Sequence, residues 1–182
     1  QLPILPLRDD DGNWVTVKVA LPGRAVSAKA WQVNVGRIKL YLLDTDIKQN
    51  NHDDQRITHS LYGGDNENRL KQEMILGIGG IRLISQLGLN PDIFHLNEGH
   101  AAFSGLERIR SLIENLSIDF KLARELVRST TLFTTHTPVP AGHDSFEELL
   151  LRAYLPHFAE TFNISWYDFV GLGRFHKENA DE

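Results

Sequence analysis

The sequence predicts an α/β fold preceded by an antiparallel β segment, and three features of the chain carry that reading. From Trp14 to Asp44 apolar and polar residues alternate with a period of two, as half-buried strands require. Beyond Gly88, the short apolar stretches Asp92–Leu96 and Thr131–Thr135 are separated by two helical patterns. Short strands joined by helices build parallel sheets through crossovers. Between these regions lies the polar stretch Thr45–Gly64.

The β segment divides into strands at Trp14–Val19, Ala28–Val35 and Lys39–Leu43, with breaks at Leu21-Pro22-Gly23-Arg24 and Gly36-Arg37. Those breaks hold the Gly and Pro that tight turns need. Long loops inside compact domains are more often functional than idle, so the polar stretch is expected to edge a cleft. Asp65 or Asn66 can then cap a helix over 67–86, with Leu70, Ile75, Ile78, Ile81 and Ile84 on its apolar side and Gly88 at its stop. Further helices are expected over 98–114 and 119–129, and the aromatic-rich stretch 146–170 reads as helical packing. The resulting division is a β segment over 1–44, a cleft-edge loop over 45–66, an α/β segment over 67–174, and a cut or disordered tail over 175–182.

With 182 residues, 41% hydrophobic and 24% charged, the chain can bury a core. A net charge of −5, with Lys and Arg interspersed among acids, argues against a nucleic-acid partner. No apolar run approaches the ~18 residues of a membrane span, so no membrane partner is expected. Cysteine is absent, which fits a cytoplasmic setting. The start at Gln1-Leu2-Pro3 and the polar run Lys177–Glu182 suggest a piece cut from a longer protein.

Four groups of residues invite chemistry. Gly77-Ile78-Gly79-Gly80 could approach a phosphate, but no strand immediately precedes it and Arg82 stands where a dinucleotide fingerprint needs glycine. Close helix packing is the alternative. His95, Glu98 and His100 suggest a metal site, although their spacing differs from the two histidines four apart that a helical zinc motif uses. Asn97, Glu98 and His100 at a strand end also suit sugar hydroxyls, or simply the capping of the next helix. Thr134–Asp144 follows an apolar strand and contains His136, Pro138, Pro140, Gly142 and His143, so it offers either a rigid acceptor surface or a plain connecting loop. No G-x-S-x-G accompanies it, which argues against a serine hydrolase. Arg69, Lys71, Gln72 and Glu73 read as a solvated helical face.

Together, Tyr41–Asp46, Leu61–Asp65, Arg69–Glu73, Leu76–Gly80, His95–Phe103 and Phe133–Asp144 fall in an order and spacing that resembles the α-glucan (glycogen, starch, maltodextrin) phosphorylases, in their shorter bacterial and archaeal branch. The resemblance runs from about Leu2 to Arg174. It implies a Rossmann-like N-terminal lobe of a GT-B glycosyltransferase, of which this chain would be an internal fragment. It also implies phosphorolysis of terminal α-1,4-linked glucose to glucose 1-phosphate with retention. The implied partners are α-1,4-glucan, phosphate and the remainder of the same polypeptide, with a homo-oligomer as one possible assembly. Pyridoxal phosphate would serve the full-length enzyme from a Lys in the other lobe, a motif this chain lacks, so the fragment alone is expected to be inactive. By the same resemblance, His136 is the catalytic candidate through its main chain. Asn97, Glu98 and His100 line the substrate, and Asp65 lies in a gating loop. Two other classes fit less well: a non-catalytic glucan-binding module, and a lobe of a nucleotide-sugar-dependent glucan synthase.

Overall fold

The computed structural model describes residues 3–61, 63–139 and 144–179. Contacts divide the chain into two units, Gln1–Asn90 and Pro91–Glu182. Both strands and helices are present, so the fold is mixed α/β.

The first unit is built on four strands: β1 (Ile4–Pro6), β2 (Thr16–Leu21), β3 (Arg24–Val35) and β4 (Ile38–Asp44). The long strand β3 pairs antiparallel with each of the other three. Its first half takes β2, from Leu21↔Arg24 to Thr16↔Lys29, and its second half takes β4, from Lys29↔Asp44 to Val35↔Ile38. The turns between them place Gly23 at φ 70° and Gly36 at φ 58°, where glycine carries no steric penalty. Alternation then does what the period of two demands: Val17, Val19, Leu21, Val26, Ala28 and Ala30 are buried. The sequence pattern did not reveal β1, whose three residues are too few to show a period.

Residues 66–86 form one helical run rather than one regular helix. It comprises α2 (Asn66–Met74), a π-helical turn (Ile75–Gly79) and α3 (Gly80–Gln86). Gly79 is buried where this run meets the sheet, and a Cβ there would lie 3.1 Å from Leu43 Cδ1 and 3.5 Å from the Val17 and Val19 methyls. Close packing is therefore what this glycine provides. The helical run and the sheet lie in the same unit.

The polar stretch after β4 is packed down rather than loose. It holds α1 (His52–Gln55) and the buried residues Thr45, Asn50 and Asp54. The Asn50 amide accepts from Ser27 N at 3.0 Å and donates to Ser27 O at 2.7 Å and Thr45 O at 2.8 Å. Arg24 grips Asp54 with two bonds of 2.7 Å each, the planar fork matching the carboxylate.

In the second unit, β5 (Phe94–Asn97) and β6 (Thr131–Thr134) pair in parallel, with Phe94 opposite Thr131 and Asn97 opposite Thr134. The connection between them contains α4 (Phe103–Leu116) and α5 (Phe120–Ser129). Arg108 of α4 lies 3.7 Å from the Phe94 ring and donates to Thr130 and Thr131, so one guanidinium fixes the start of both strands. The expected helical stretch after β6 is broken into α6 (Glu148–Tyr154), α7 (Pro156–Phe162) and α8 (Trp166–Val170). Pro156 restarts the helix at a first-turn position that needs no N–H, and Asn163 ends α7 at φ 53°. Phe162 stacks on Phe120 with ring centres 5.2 Å apart and meets Phe158 and Phe169 as well. In the tail, Lys177 pairs with Asp168 at 2.6 Å, which ties at least that residue down.

Two stability outcomes follow from this packing. Gly79→Val should overpack the helix–sheet contact and lower stability by about 1–3 kcal/mol, and an unchanged denaturant midpoint would contradict the packing role. Asn50→Ala strands one N–H and two carbonyls in the buried loop. It should cost ~1–3 kcal/mol, read as a lower thermal midpoint.

Candidate functional site

The carboxyl ends of β5 and β6 carry the polar groups that the sequence singled out. In open α/β sheets ligands bind beyond such strand ends. Asn97 closes β5 and Thr134 closes β6; Glu98 N–H then donates to Thr134 O at 2.8 Å, extending the ladder by one bond.

Glu98 is the centre of the cluster. It is 4% exposed, and its backbone sits at φ 60°, ψ −173°, a region essentially reserved for glycine. Its Oε1 accepts from His136 N at 2.8 Å, Thr137 N at 3.0 Å and Thr137 Oγ1 at 3.0 Å. Its Oε2 accepts from Thr135 Oγ1 at 3.0 Å. Three of the four donors share Oε1 and one takes Oε2. Two successive backbone N–H groups turned towards one oxygen form a small anion nest, filled here by the protein's own side chain.

The electrostatics follow from those bonds. The His136 N–H, with smaller contributions from the Thr135 and Thr137 donors, holds the Glu98 carboxyl well below the usual carboxylate range, at about 2 against an ordinary 4.5, although burial alone would raise it.

His136 is held through its ring as well. Its Nε2–H donates to Asn97 Oδ1 at 2.8 Å, and Nδ1 lies 3.4 Å from Glu98 Oε1. His95 pairs with Thr134 Oγ1 at 2.7 Å, and His100 Nδ1 lies 3.5 Å from Asp144 Oδ2. His95, Glu98 and His100 thus engage separate partners, which gives the metal reading of those three no geometric support.

The capping reading also needs correction. Asn97 is the last residue of its strand and turns to His136. Glu98 precedes the short 3-10 turn Gly99–Ala101 without a side-chain capping bond. Asp65 lies in the first unit, where its carboxylate accepts from Asn68 N at 2.8 Å and caps α2. Of the residues anticipated from sequence, the structure brings Asn97, Glu98 and His136 into one bonded cluster. Thr135 and Thr137 belong to it and were not singled out for this role. The Pro140–His143 part of the loop lies outside the described residues.

Comparison with known proteins bears on what this cluster serves. No protein-family model matches the chain. It is 47% identical over 174 residues to the maltodextrin phosphorylase of Thermococcus litoralis, which covers 96% of this chain and 21% of that protein. It is 49% identical over 160 residues to the glycogen phosphorylase of Mycobacterium tuberculosis, covering 85% and 18% respectively. The chain is homologous to a segment of the α-glucan phosphorylases. A more distant phosphorylase relative, the glycogen phosphorylase of Aquifex aeolicus, shares 37% identity over 172 residues, 94% of this chain and 25% of that protein. The chain therefore spans about a fifth to a quarter of the length of these curated phosphorylases. Among the described residues, no helix is long and apolar enough to cross a membrane.

The depressed Glu98 pKa has a pH consequence of definite sign. Its stabilising effect should be complete above the ordinary carboxylate value near 4.5 and should be lost as pH falls towards about 2. Carboxyl NMR of Glu98 should show a midpoint far below the ordinary 4.5, and a midpoint at that ordinary value would contradict the bonded geometry.

Proposed function

We propose that this chain is part of an α-glucan phosphorylase and supplies one wall of its sugar site. The observation that carries the proposal is the bonded cluster at the ends of β5 and β6, lying in a segment homologous to proteins named as maltodextrin and glycogen phosphorylases. On this reading the α/β unit from Pro91 onward belongs to a Rossmann-like lobe of a GT-B enzyme. The substrates are an α-1,4-glucan and inorganic phosphate, and the product is glucose 1-phosphate formed with retention.

The chain's own contribution is positioning and electrostatics. The His136 main-chain carbonyl presents a partial negative charge where positive charge develops on the sugar ring, a stabilisation that counts most in a water-poor site. Asn97 holds the His136 ring by its Nε2–H. His100, beside Asp144, offers a further polar group to a sugar.

Pyridoxal phosphate belongs to this reading only in the remainder of the polypeptide. Holding it as a Schiff base needs a lysine amine that can shed its proton. Lys177 instead bonds Asp168 at 2.6 Å, which raises its pKa and favours the charged ammonium, so it does not fit the cofactor.

Titration of the chain with maltoheptaose should perturb the amide signals of Asn97 and His136, whereas incubation with glucan and phosphate should yield no glucose 1-phosphate. Phosphorolysis by these 182 residues alone would overturn the division of labour. Saturable protection by a nucleoside diphosphate sugar, with no response to maltoheptaose, would replace the phosphorylase reading with that of a glucan synthase lobe.

A further inference from the structure

We infer that Glu98 is a positioning residue: its carboxylate sets the direction of the His136 carbonyl by fixing the peptide between His136 and Thr137, and it does not itself bind sugar. The inference rests on the glucan-site reading above. Three observations support it.

The first is occupancy. Oε1 receives three donors, His136 N, Thr137 N and Thr137 Oγ1, and Oε2 a fourth, Thr135 Oγ1. Both oxygens of this buried carboxylate are therefore already turned to the Thr135–Thr137 segment.

The second is peptide geometry. No cis peptide occurs among the described residues. In a planar trans peptide the N–H and the preceding C=O point to opposite sides. Because Thr137 N–H points at Glu98 Oε1, the His136 carbonyl must point away from it. The His136 N–H, aimed at the same oxygen, turns the Thr135 carbonyl away likewise. Two adjacent peptide planes are thus locked by one atom. Among the described residues no hydrogen bond reaches the His136 carbonyl oxygen, so the group it presents is unclaimed by them.

The third is strain. A glutamate at φ 60°, ψ −173° occupies a conformation that glycine would adopt without cost, and non-glycine residues persist there only where surrounding interactions over-determine them. The carboxylate's four bonds are that over-determination. An aspartate would set its carboxylate one methylene nearer the Cα and draw it back from those donors.

The test uses the 182-residue chain, labelled with 15N, with maltoheptaose as the probe. Glu98→Gln keeps an acceptor oxygen for both N–H groups. Glu98→Gly removes the carboxylate and also relieves the backbone strain, so it is the deletion best suited to folding. In Glu98→Gln the His136 and Thr137 amides should stay protected from exchange, with maltoheptaose affinity within about threefold of the parent. In Glu98→Gly those two amides should lose protection and affinity should fall by about tenfold or more, since small misplacements of a positioned group carry penalties of that order. If Glu98→Gly does not fold, Glu98→Asp is read in its place, with the same loss expected.

Parent-like affinity in Glu98→Gly despite lost protection would overturn the inference and leave the glucan reading standing. So would an affinity loss in Glu98→Gln as large as in Glu98→Gly with the amides still protected, because that would make Glu98 a direct ligand. A parent chain that binds no maltoheptaose would overturn the glucan reading instead; the amide protection in the two variants would then decide by itself whether the carboxylate holds the peptide.

Discussion

Both oxygens of the Glu98 carboxylate are bonded to the segment Thr135–Thr137, while its N–H continues the ladder to Thr134. β5 and β6 are only four residues each, and a parallel pair so short has few ladder bonds to set its register. The ends are therefore secured by side chains: Arg108 at the start, through Phe94, Thr130 and Thr131, and Glu98 at the finish. The second tie is the one that bonds the His136 and Thr137 N–H groups, whereas Asn97 restrains only the His136 ring. The non-glycine conformation of Glu98, with a cost of about 1–3 kcal/mol, is the counterpart of that order.

The sequence made some of this legible and hid the rest, for reasons that can be traced to single residues. Periodicity found β2 to β4 because one face of each must be buried, and of the two caps offered for the following helix Asp65 is the one used. The placement of Asn97, Glu98 and His136 at strand ends was also readable, since polar residues stood directly after apolar runs. Which partner each would choose was not. Glu98 next to Gly99 reads as an ordinary helix start, and nothing in a linear sequence shows that Glu98, rather than Gly99, takes the positive φ. Thr135 and Thr137 gave no signal because hydroxyls are common in loops and their role depends on a residue 37 to 39 positions away.

The two units differ in how complete their surfaces are. In the first, the helical run covers one sheet face, yet Ile38, Leu40 and Leu42 on the other remain exposed. In the second, the parallel pair leaves Leu132 and Phe133 exposed, whereas parallel strands are usually covered on both faces. Such exposure accords with a chain that matches about a fifth of the maltodextrin phosphorylase from Thermococcus.

The π-helical turn at Ile75–Gly79 also changes which residues face inward. Before it Leu70 and Met74 are buried at a step of four, whereas across it the step is five, from Met74 to Gly79 and from Ile78 to Leu83. A five-residue step overshoots the face of a regular α-helix, but it matches a turn closed by i→i+5 bonds. The extra residue acts as a phase offset of roughly 100°, so α2 and α3 are two rods clocked differently on a common axis. Gly79 ends that turn against Val17, Val19 and Leu43, and the sheet thereby sets the angle at which the second rod leaves the first.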